Sequence, residues 1–479
     1  MNPSADQMKA LQSFAPDGVT VNKAYLTGED VNPATMTNGA ALRLEFLAQR
    51  ISNLTYGRDQ MKFFNLISKM PSASTVAQYV TTEQHGESGH AAWDDETSLA
   101  KPSDPVLKRN LIPMKYASQT RQTTIPAAAA NNISSPIAVL TDDAIVSMAK
   151  TIEQGCLYGD STLSDQAPSQ GAGAGREMDG LTKKIPESNI IDLHGRDINV
   201  GDFNDAAVMI TKAYGVPTHA FMPNGVLSRL NTSLAPNQRQ FMTNTASDSQ
   251  VILGVNVQAV QTQAGPVQLI GSNVMENDNI LNETRLGGKG APAAPVLTAT
   301  PTAEDGGAFS TADVAAGATY KAVVFADKSG SLASAEATVA VTADSSVTLT
   351  IDVLATYQDT PQYVAIYRKG NTTGDFYLIT RQAMYQATQV SKDGRSYLEL
   401  TFKDVNDDIP ETTDVFVGDM SPEVIRLYEF LPMFNLPLPS TNKMIQWSVA
   451  WSGGLALLAP SRFVWLKNVG YTAVYPQYN

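Results

Sequence analysis

The chain has 479 residues, of which 43% are hydrophobic and 17% charged, and this composition is typical of a globular protein rather than a disordered one. Its formal net charge of -13 excludes the basic surface with which a protein grips nucleic-acid phosphates. A single cysteine, Cys156, excludes a disulfide framework and a zinc site built from cysteines.

Two features of the sequence bear on where the chain resides. The first twenty residues lack the basic start and the apolar run of a signal peptide, so we expect the chain to be intracellular. An uncharged stretch at residues 444–460 is shorter than the ~20 residues that a spanning helix needs, and it contains Gln446 and paired glycines. Short apolar runs rich in aromatic residues are typical of buried strands, so we predict strands there and no membrane contact.

The N-terminal part begins with a polar segment. Residues 1–40 are rich in Asn, Thr, Gly and Pro, and we expect them to form an extended arm. In residues 41–54, Leu44, Leu47 and Ile51 recur at spacings of three and four, which predicts a helix with one apolar face.

Residues 71–125 predict an extended hairpin. The segments "STVAQYVTTEQ" and "LKRNLIPMKYASQTRQTT" have the composition of two strands, and the polar stretch "TTEQHGESGHAAWDDET" at 81–97 overlaps the end of the first and leads toward the second. An isolated hairpin has little stability in water. We therefore expect this one to lie on its own domain or on a neighbouring subunit.

The clearest helix is predicted at residues 141–161. Thr141 is suited to cap its N-terminus, where Asp142 and Asp143 would favour the positive end of the helix dipole. The apolar stripe of this helix consists of Ile145, Met148, Ile152 and Cys156. Because Cys156 belongs to that stripe, we interpret it as a small core residue.

The second half of the chain changes pattern twice. Residues 202–271 alternate helix and strand signals and predict a mixed α+β module. After a Gly/Pro/Ala linker at 285–295, short strands with turn signals follow to about residue 411, at the spacing of an immunoglobulin or fibronectin type III sandwich. Mixed patterning resumes after residue 411, so the sandwich is predicted to be an insertion.

The polar stretch at 81–97 holds two of the four histidines and raises the question of a metal site. His85 and His90 are five residues apart in a Gly-rich stretch, and the spacing that points two imidazoles the same way on a helix is absent. We interpret the stretch as a solvated or interfacial loop. Trp93, a large aromatic among polar residues, indicates contact with a partner.

The remaining reactive residue types have structural interpretations. His194 is interpreted as a loop residue rather than a catalytic base, and His219 as a histidine within a strand of the core. The glycine run at 171–175 lacks a preceding strand and is interpreted as a surface loop, not a phosphate site. The carboxylate pairs, such as Asp407 and Asp408, are interpreted as turn residues. No catalytic residue, metal site or cofactor is therefore predicted.

Several segments, in order along the chain, resemble one known family. They include "ALRLEFLAQRI" (41–51), "HGESGH" (85–90), "LTDDAIVSMAKTIE" (140–153), "DVFVGDMSPEVIRL" (414–427) and "LKNVGYTAV" (466–474). In their order and spacing they resemble the major capsid proteins of tailed bacteriophages with the Hong Kong 97 fold. The similarity is greatest to those of the Twort-like large myophages of Gram-positive bacteria.

The resemblance implies an α+β fold of the Hong Kong 97 type with an inserted all-β sandwich of the immunoglobulin or fibronectin III type. The implied parts are an N-terminal arm and first helix (1–70), an extended hairpin loop (71–125), a peripheral domain with its spine helix (126–201), the first part of an axial domain (202–286), the inserted sandwich (287–411), the second part of the axial domain (412–440) and C-terminal strands of the peripheral domain (441–479).

The resemblance also implies a function without catalysis. The chain would self-assemble into hexamers and pentamers that form the icosahedral head shell of a virion, assembled in the host cytoplasm. Its expected partners are copies of itself, scaffolding, portal and minor capsid or decoration proteins, and packaged double-stranded DNA contacted non-specifically. His85, His90, Trp93 and Arg109 are then predicted to make contacts between subunits.

A second interpretation stays open at this point. The chain would be a metal-dependent enzyme or an adhesin that carries a fibronectin-like module, with a metal ion bound by His85 and His90. The single cysteine and the absence of a signal peptide weigh against it.

Overall fold

The computed structural model describes residues 57–86, 93, 95–97, 103–129, 135–163, 177–233, 257–277, 280–288, 291–303, 306–309, 313, 316–326, 330–355, 361–441 and 443–470. All of them fall within one of the two compact units of the chain, which comprises Thr55–Ala130 and Ser135–Asn479. The predicted arm, the helix predicted at 41–54 and the glycine run at 171–175 lie outside the described residues.

Helices and strands are both numerous, so the chain is a mixed α/β protein. The helices of the described part are α1 Lys62–Leu66, α2 Ile125–Ala129, α3 Pro136–Tyr158, α4 Leu181–Lys184, α5 Val200–Lys212, α6 Asn224–Ser233 and α7 Asn273–Asn277. Its strands are β1 Lys69–Pro71, β2 Val76–Gln84, β3 Val106–Pro113, β4 Lys115–Thr124, β5 Ile190–Asp192, β6 His219–Met222, β7 Ala259–Thr262, β8 Gly265–Gly271, β9 Val296–Thr302, β10 Ala318–Ala326, β11 Ala337–Val339, β12 Ser346–Leu354, β13 Pro361–Lys369, β14 Phe376–Ala383, β15 Thr388–Lys392, β16 Arg395–Asp404, β17 Thr412–Gly418, β18 Ile425–Thr441, β19 Met444–Leu457 and β20 Phe463–Gly470.

Helix α3 begins before the predicted start at residue 141. Pro136 occupies its first turn, where the missing N–H has no helical partner to lose and the fixed φ suits the helix. Thr141 therefore lies inside the helix and donates its hydroxyl to the Ile137 carbonyl oxygen over 2.7 Å, so the predicted cap is wrong. Asp143 pairs with Arg121 of β4 over 2.8 Å instead of supporting the N-terminus.

One face of α3 is buried against strands, and this makes the largest core. Met148, Ile152 and Cys156 of the predicted stripe are buried there, together with Trp451 and Leu455 of β19. The interpretation of Cys156 as a core residue is confirmed. The helix packs on β4 and β19, which belong to a four-stranded sheet, the long sheet, with strand order β1-β18-β19-β4.

The uncharged stretch at 444–460 contains the whole of β19, which confirms the prediction of a buried strand. No helix among the described residues is long and apolar enough to cross a membrane. Strand β19 pairs along its length with β18 on one side and with β4 on the other, so its backbone polar groups are satisfied within the long sheet.

A six-stranded sheet, with order β5-β20-β17-β6-β8-β7, forms a second layer with α5 and α6. Helix α5 begins with a reciprocal capping box. The Asn199 side chain accepts from the Asp202 N–H over 3.2 Å, and the Asp202 carboxylate accepts from the Asn199 N–H over 2.8 Å. Apolar residues of the helix, such as Phe203 and Ile210, pack on Val417 and Leu466 of the sheet.

The segment predicted as one strand at 107–124 is two strands in different sheets. The break falls at Pro113 and Met114, and the Met114 N–H donates to the Thr75 carbonyl oxygen over 2.9 Å. Strand β4 joins the long sheet, whereas β3 pairs with β2 in a separate two-stranded sheet. We call this β2–β3 pair the hairpin ribbon. Its buried Ala77 and Ile112 pack against Ala456 of β19, so the ribbon is attached at its base.

The described residues between 296 and 404 form two four-stranded antiparallel sheets, with orders β11-β10-β13-β14 and β15-β16-β12-β9. The alternating inner side chains of both sheets share one core, which includes Val324, Leu349, Ile366 and Leu400. We call residues 296–404 the sandwich and the other described residues the main body. The likeness of the sandwich to an immunoglobulin or fibronectin III domain stays a prediction.

The segment that leads back from the sandwich, residues 405–411, is held by β20 of the main body. The Lys467 ammonium lies 2.6 Å from a carboxylate oxygen of Asp407 and 2.8 Å from one of Asp408. The Asn468 side chain donates to the Asp407 carbonyl oxygen over 2.8 Å. We call residues 405–411 the return segment.

Two further contacts join the sandwich to its surroundings. The Glu411 carboxylate at the end of the return segment accepts from the backbone N–H groups of Thr372 and Thr373 over 2.7 and 2.6 Å. The Arg381 guanidinium of β14 donates to the Tyr158 carbonyl oxygen over 2.6 Å. That carbonyl belongs to the last residue of α3, where a cation is favoured by the helix dipole. The sandwich is thus bonded to the main body at several points.

A buried ion pair ties one sheet of the sandwich to the other. The Arg368 guanidinium of β13 lies 2.6 Å from the Asp404 carboxylate of β16, and both side chains are almost inaccessible to solvent. The Tyr320 hydroxyl donates to the same carboxylate over 2.8 Å, and Arg368 also donates to Asn406. Because every charge in this network has a partner, it tolerates burial.

We expect Arg368→Met to lower the free energy of unfolding of the sandwich by about 3–5 kcal/mol, because the Asp404 carboxylate would stay buried without its cation. Urea unfolding followed by tyrosine fluorescence measures the loss. Lys392→Met is the matched control: its ammonium, 39% exposed, bridges Asp352 and Glu399, and because exposed ion pairs add little stability, its loss should have a much smaller effect than that of Arg368. Equal losses in the two variants would contradict the role assigned to the buried pair.

Candidate functional site

The hairpin ribbon presents one apolar face to solvent. Side chains alternate along both of its strands, and on the inner side Ala77 and Ile112 are buried on the long sheet. The outer set includes Val80, Leu107 and Leu111, which are 62%, 61% and 62% exposed. An exposed row of large aliphatic side chains on a projecting pair of strands is typical of a surface that another chain covers.

Polar side chains accompany this apolar row. Arg109, opposite Val80 in the pairing of the two strands, donates to the Gln78 side chain. The Lys108 ammonium lies 3.0 Å from the Glu83 carboxylate. His85 follows the end of β2 and is exposed. Exposed ion pairs of this kind add little stability within one chain, so these groups remain available to a partner.

The side chain of Trp93 is 86% exposed to solvent. His90 lies outside the described residues, so its distance from His85 is not part of the structure. Among the residues that the structure does describe, no three His, Cys, Asp or Glu side chains are grouped closely enough to hold a metal ion.

The other candidate reactive groups have local structural partners. His194 lies in an exposed turn with a positive φ of 48°, where its N–H donates to the Asp192 carboxylate over 2.8 Å. His219 lies on β6, its Nδ1 lies 2.8 Å from the Thr218 hydroxyl, and burial lowers its pKa. Burial raises the pKa of the Cys156 thiol well above its usual range, which keeps it protonated and unreactive.

Carboxyl groups gather where the sandwich meets the main body. Burial raises the pKa of Asp414 on β17 to about 7, and the neighbouring Asp408 acts in the same direction. The Trp465 Nε1–H donates to Asp414 over 2.8 Å and opposes part of the shift. Burial also raises the pKa of Asp408, which the Lys467 ammonium partly offsets. Burial therefore raises the pKa of two neighbouring carboxyl groups here, those of Asp408 and Asp414.

Comparisons with known proteins identify the family. The model of the SU10 major capsid protein family matches residues 31–282. The major capsid protein of Staphylococcus phage K is 39% identical over 474 residues, 99% of each chain. The major capsid protein of Staphylococcus phage S25-3 has the same identity and coverage, and a protein of Enterococcus phage phiEF24C is 40% identical over 454 residues, 95% of each chain.

The chain belongs to the major capsid protein family of tailed bacteriophages. This confirms the resemblance that the sequence segments carry, including its direction toward the Twort-like phages of Gram-positive bacteria. The alternative of a metal-dependent enzyme or an adhesin is not supported.

The structure describes three of the four predicted contact residues of the capsid protein. His85 and Arg109 lie on or next to the hairpin ribbon, Trp93 lies in the stretch between its two strands, and His90 is not described. The exposed Leu107 and Leu111 were missed, although the alternation in "LKRNLIP" contains the signal. The ionisable groups around Asp414 carry no local signal, because strand pairing brings together residues that are distant in the sequence.

We expect Asp414→Asn to change how the stability of the capsid protein depends on pH. In the folded chain the Asp414 carboxyl keeps its proton up to a pH of about 7, whereas its ordinary pKa is 3.8. Its contribution to stability is therefore complete at low pH and is lost as the pH rises from about 4 to about 7. Asparagine does not ionise, so the variant should gain melting temperature relative to the wild type at pH 8 more than at pH 5.

Asp393→Asn is the control, because this carboxylate lies exposed in the turn between β15 and β16. Its melting temperature relative to the wild type should be the same at both pH values. An Asp414→Asn difference that does not grow between pH 5 and pH 8 would show that Asp414 is ionised throughout.

Proposed function

We propose that the capsid protein assembles into hexamers and pentamers that form an icosahedral shell around packaged double-stranded DNA. The observation that carries this proposal is the hairpin ribbon, whose outer aliphatic row lies uncovered in the single chain. In a chain of this family, the natural cover for such a row is a neighbouring copy. The shell would be a virion component assembled in the host cytoplasm.

The parts of the fold suit a subunit of the Hong Kong 97 type. In this proposal the hairpin ribbon is the extended loop, α3 belongs to the peripheral domain, and α5 and α6 belong to the axial domain. The sandwich is the inserted domain of the immunoglobulin or fibronectin III type. The family membership, the 23-residue helix and the projecting ribbon support this assignment.

Stability of such a shell comes from the number of contacts rather than the strength of one. An aliphatic row of a few side chains buries a small area, and each contact made alone would be weak. A subunit held by several neighbours dissociates only when all of these contacts open together. His85, His90, Trp93 and Arg109 are proposed to add polar and aromatic contacts around the aliphatic row.

The net charge of -13 suits a container that later releases its contents. Acidic surfaces repel the phosphates of packaged DNA, so contact with the DNA would be non-specific and weak. Scaffolding, portal, minor capsid or decoration proteins are proposed as further partners. We propose no catalytic role and no cofactor.

The first test concerns the hairpin ribbon. Leu107→Asp together with Leu111→Asp should leave the chain folded, because both side chains point to solvent, but should abolish assembly by placing charges in a contact that excludes water. The measurement is negative-stain electron microscopy of the full chain produced with its viral partners, and circular dichroism checks folding.

Leu332→Asp is the matched control, since this leucine of the sandwich is 59% exposed. It should leave ring and shell formation unchanged. Normal shells from the double ribbon variant would contradict the proposed contact, and loss of shells in both variants would point to a general effect of added charge.

The second test concerns the sandwich. Replacing residues 291–404 by a short Gly/Ser bridge should leave a soluble, folded main body, because the return segment keeps its bonds to Lys467 and Asn468. The melting temperature should fall somewhat, because Arg381 no longer binds the end of α3. Circular dichroism and thermal unfolding of the purified variant measure both effects.

Arg381→Ala in the intact chain isolates that one contact and should produce a comparable fall for the main body. Arg395→Ala, at the exposed start of β16, should produce none. An insoluble deletion variant alongside a fully stable Arg381→Ala variant would show that the main body needs the sandwich for other reasons.

A further inference from the structure

A cleft of about 840 Å³ lies between the sandwich and the main body. The main body contributes the C-terminal turn of α3 and strands β17 and β20, and the sandwich contributes β13 and β14. Clefts of this size between two packed layers are common positions for small-molecule sites. No predicted property of the capsid protein accounts for it.

Aromatic side chains from both sides border the cleft. Tyr158 comes from α3, Trp465 from β20 and Tyr363 from β13, and all three are partly accessible. The Trp465 ring is stacked at 6.2 Å on Phe416, which supports it from the core. The Lys467 ammonium lies 5.7 Å from the centroid of the Trp465 ring, and the Arg381 guanidinium lies 6.0 Å from that of Tyr363. The cleft is therefore bordered by aromatic rings with cationic groups beside them.

The charged groups that border the cleft are paired within the chain. The Arg381 guanidinium lies 3.5 Å from the Glu177 carboxylate, and the Lys183 ammonium lies 3.0 Å from the Asp160 carboxylate. A strongly charged ligand would lose its hydration and find each opposite charge already engaged. This balance favours an uncharged ligand over a phosphate or a nucleic acid.

Two hydrogen-bonding groups that border the cleft are suited to such a ligand. The Thr413 hydroxyl is buried, with the residue 4% exposed, borders the cleft and has no hydrogen-bond partner in the described part of the chain. A buried hydroxyl without a partner carries a desolvation cost that a ligand hydroxyl would remove. Beside it, Asp414 has a pKa raised to about 7, so near neutral pH its carboxyl both donates and accepts.

We propose that this cleft binds a neutral saccharide, with a sugar ring on the faces of Trp465 and Tyr363 and sugar hydroxyls bound by Thr413 and Asp414. A sugar ring combines an apolar C–H face with a rim of hydroxyl groups, which matches rigid aromatic rings bordered by polar side chains. The proposal concerns a single chain and holds whether or not the shell assembles.

Titration of the full-length chain with maltotriose and with triacetylchitotriose tests the proposal, with tryptophan fluorescence as the readout. At least one of the two should give a saturable change, because Trp465 lies in the cleft. Thr413→Val keeps the side-chain shape and should weaken binding about fivefold, the worth of one hydrogen bond. Tyr363→Leu should weaken it about two- to tenfold through the loss of the ring.

Thr298→Val, on the exposed face of β9, is the matched control and should bind like the wild type. Inorganic phosphate should give no saturable change. The proposal is overturned if neither saccharide saturates the signal below about 10 mM, if phosphate binds more tightly than both saccharides, or if both cleft variants bind like the wild type.

Discussion

The burial of one face of α3 against the long sheet is the interaction on which the other parts depend. Met148, Ile152 and Leu157 of this face share a core with Trp451 and Leu455 of β19. Burying a side chain of this size contributes roughly 1.5–3 kcal/mol, so a whole face supplies much of the stability of the main body. The same packing fixes the direction in which β4 runs, and with it the base of the hairpin ribbon.

The C-terminal end of α3 is where this core meets the sandwich. Its last carbonyl, on Tyr158, accepts from Arg381, and its last turn borders the cleft. The Arg381 guanidinium is well placed there, because the partial negative charge of a helix C-terminus favours a cation. The helix therefore orients two features at once, the ribbon beside it and the sandwich beyond its end.

Local patterns predicted the elements whose signal lies within one continuous stretch of sequence. The apolar spacing of Met148, Ile152 and Cys156 gave the buried face of α3, and the uncharged run in β19 gave a buried strand. The start of α3 was missed because Pro136, which favours a first turn, lies before the region of clear periodicity. The break between β3 and β4 was missed because both strands alternate alike and only their pairing differs.

The candidate site likewise has parts that the sequence predicted and parts that depend on strand pairing. The family resemblance directed attention to His85, Trp93 and Arg109, but the aliphatic row of Leu107 and Leu111 emerges only when the pairing shows which face is outward. The cleft was beyond sequence reasoning, since Tyr158 and Arg381 are far apart along the chain and meet only in the folded protein. The periodicity of a sequence indicates which residues share one face of a helix or strand. It does not indicate which distant elements contact each other in the folded chain.

The return segment has a mechanical consequence. The carboxylates of Asp407 and Asp408 pair with Lys467 of the main body, and the carboxylate of Glu411 accepts from the Thr373 N–H of the sandwich. The return segment is therefore bonded on both sides and is not a flexible linker. A force that pulls on the sandwich from outside passes through these bonds into β20 and the strand beside it, β17. Paired strands that are joined by several hydrogen bonds share an applied force. A partner that binds the sandwich and pulls on it therefore transmits the force to the main body.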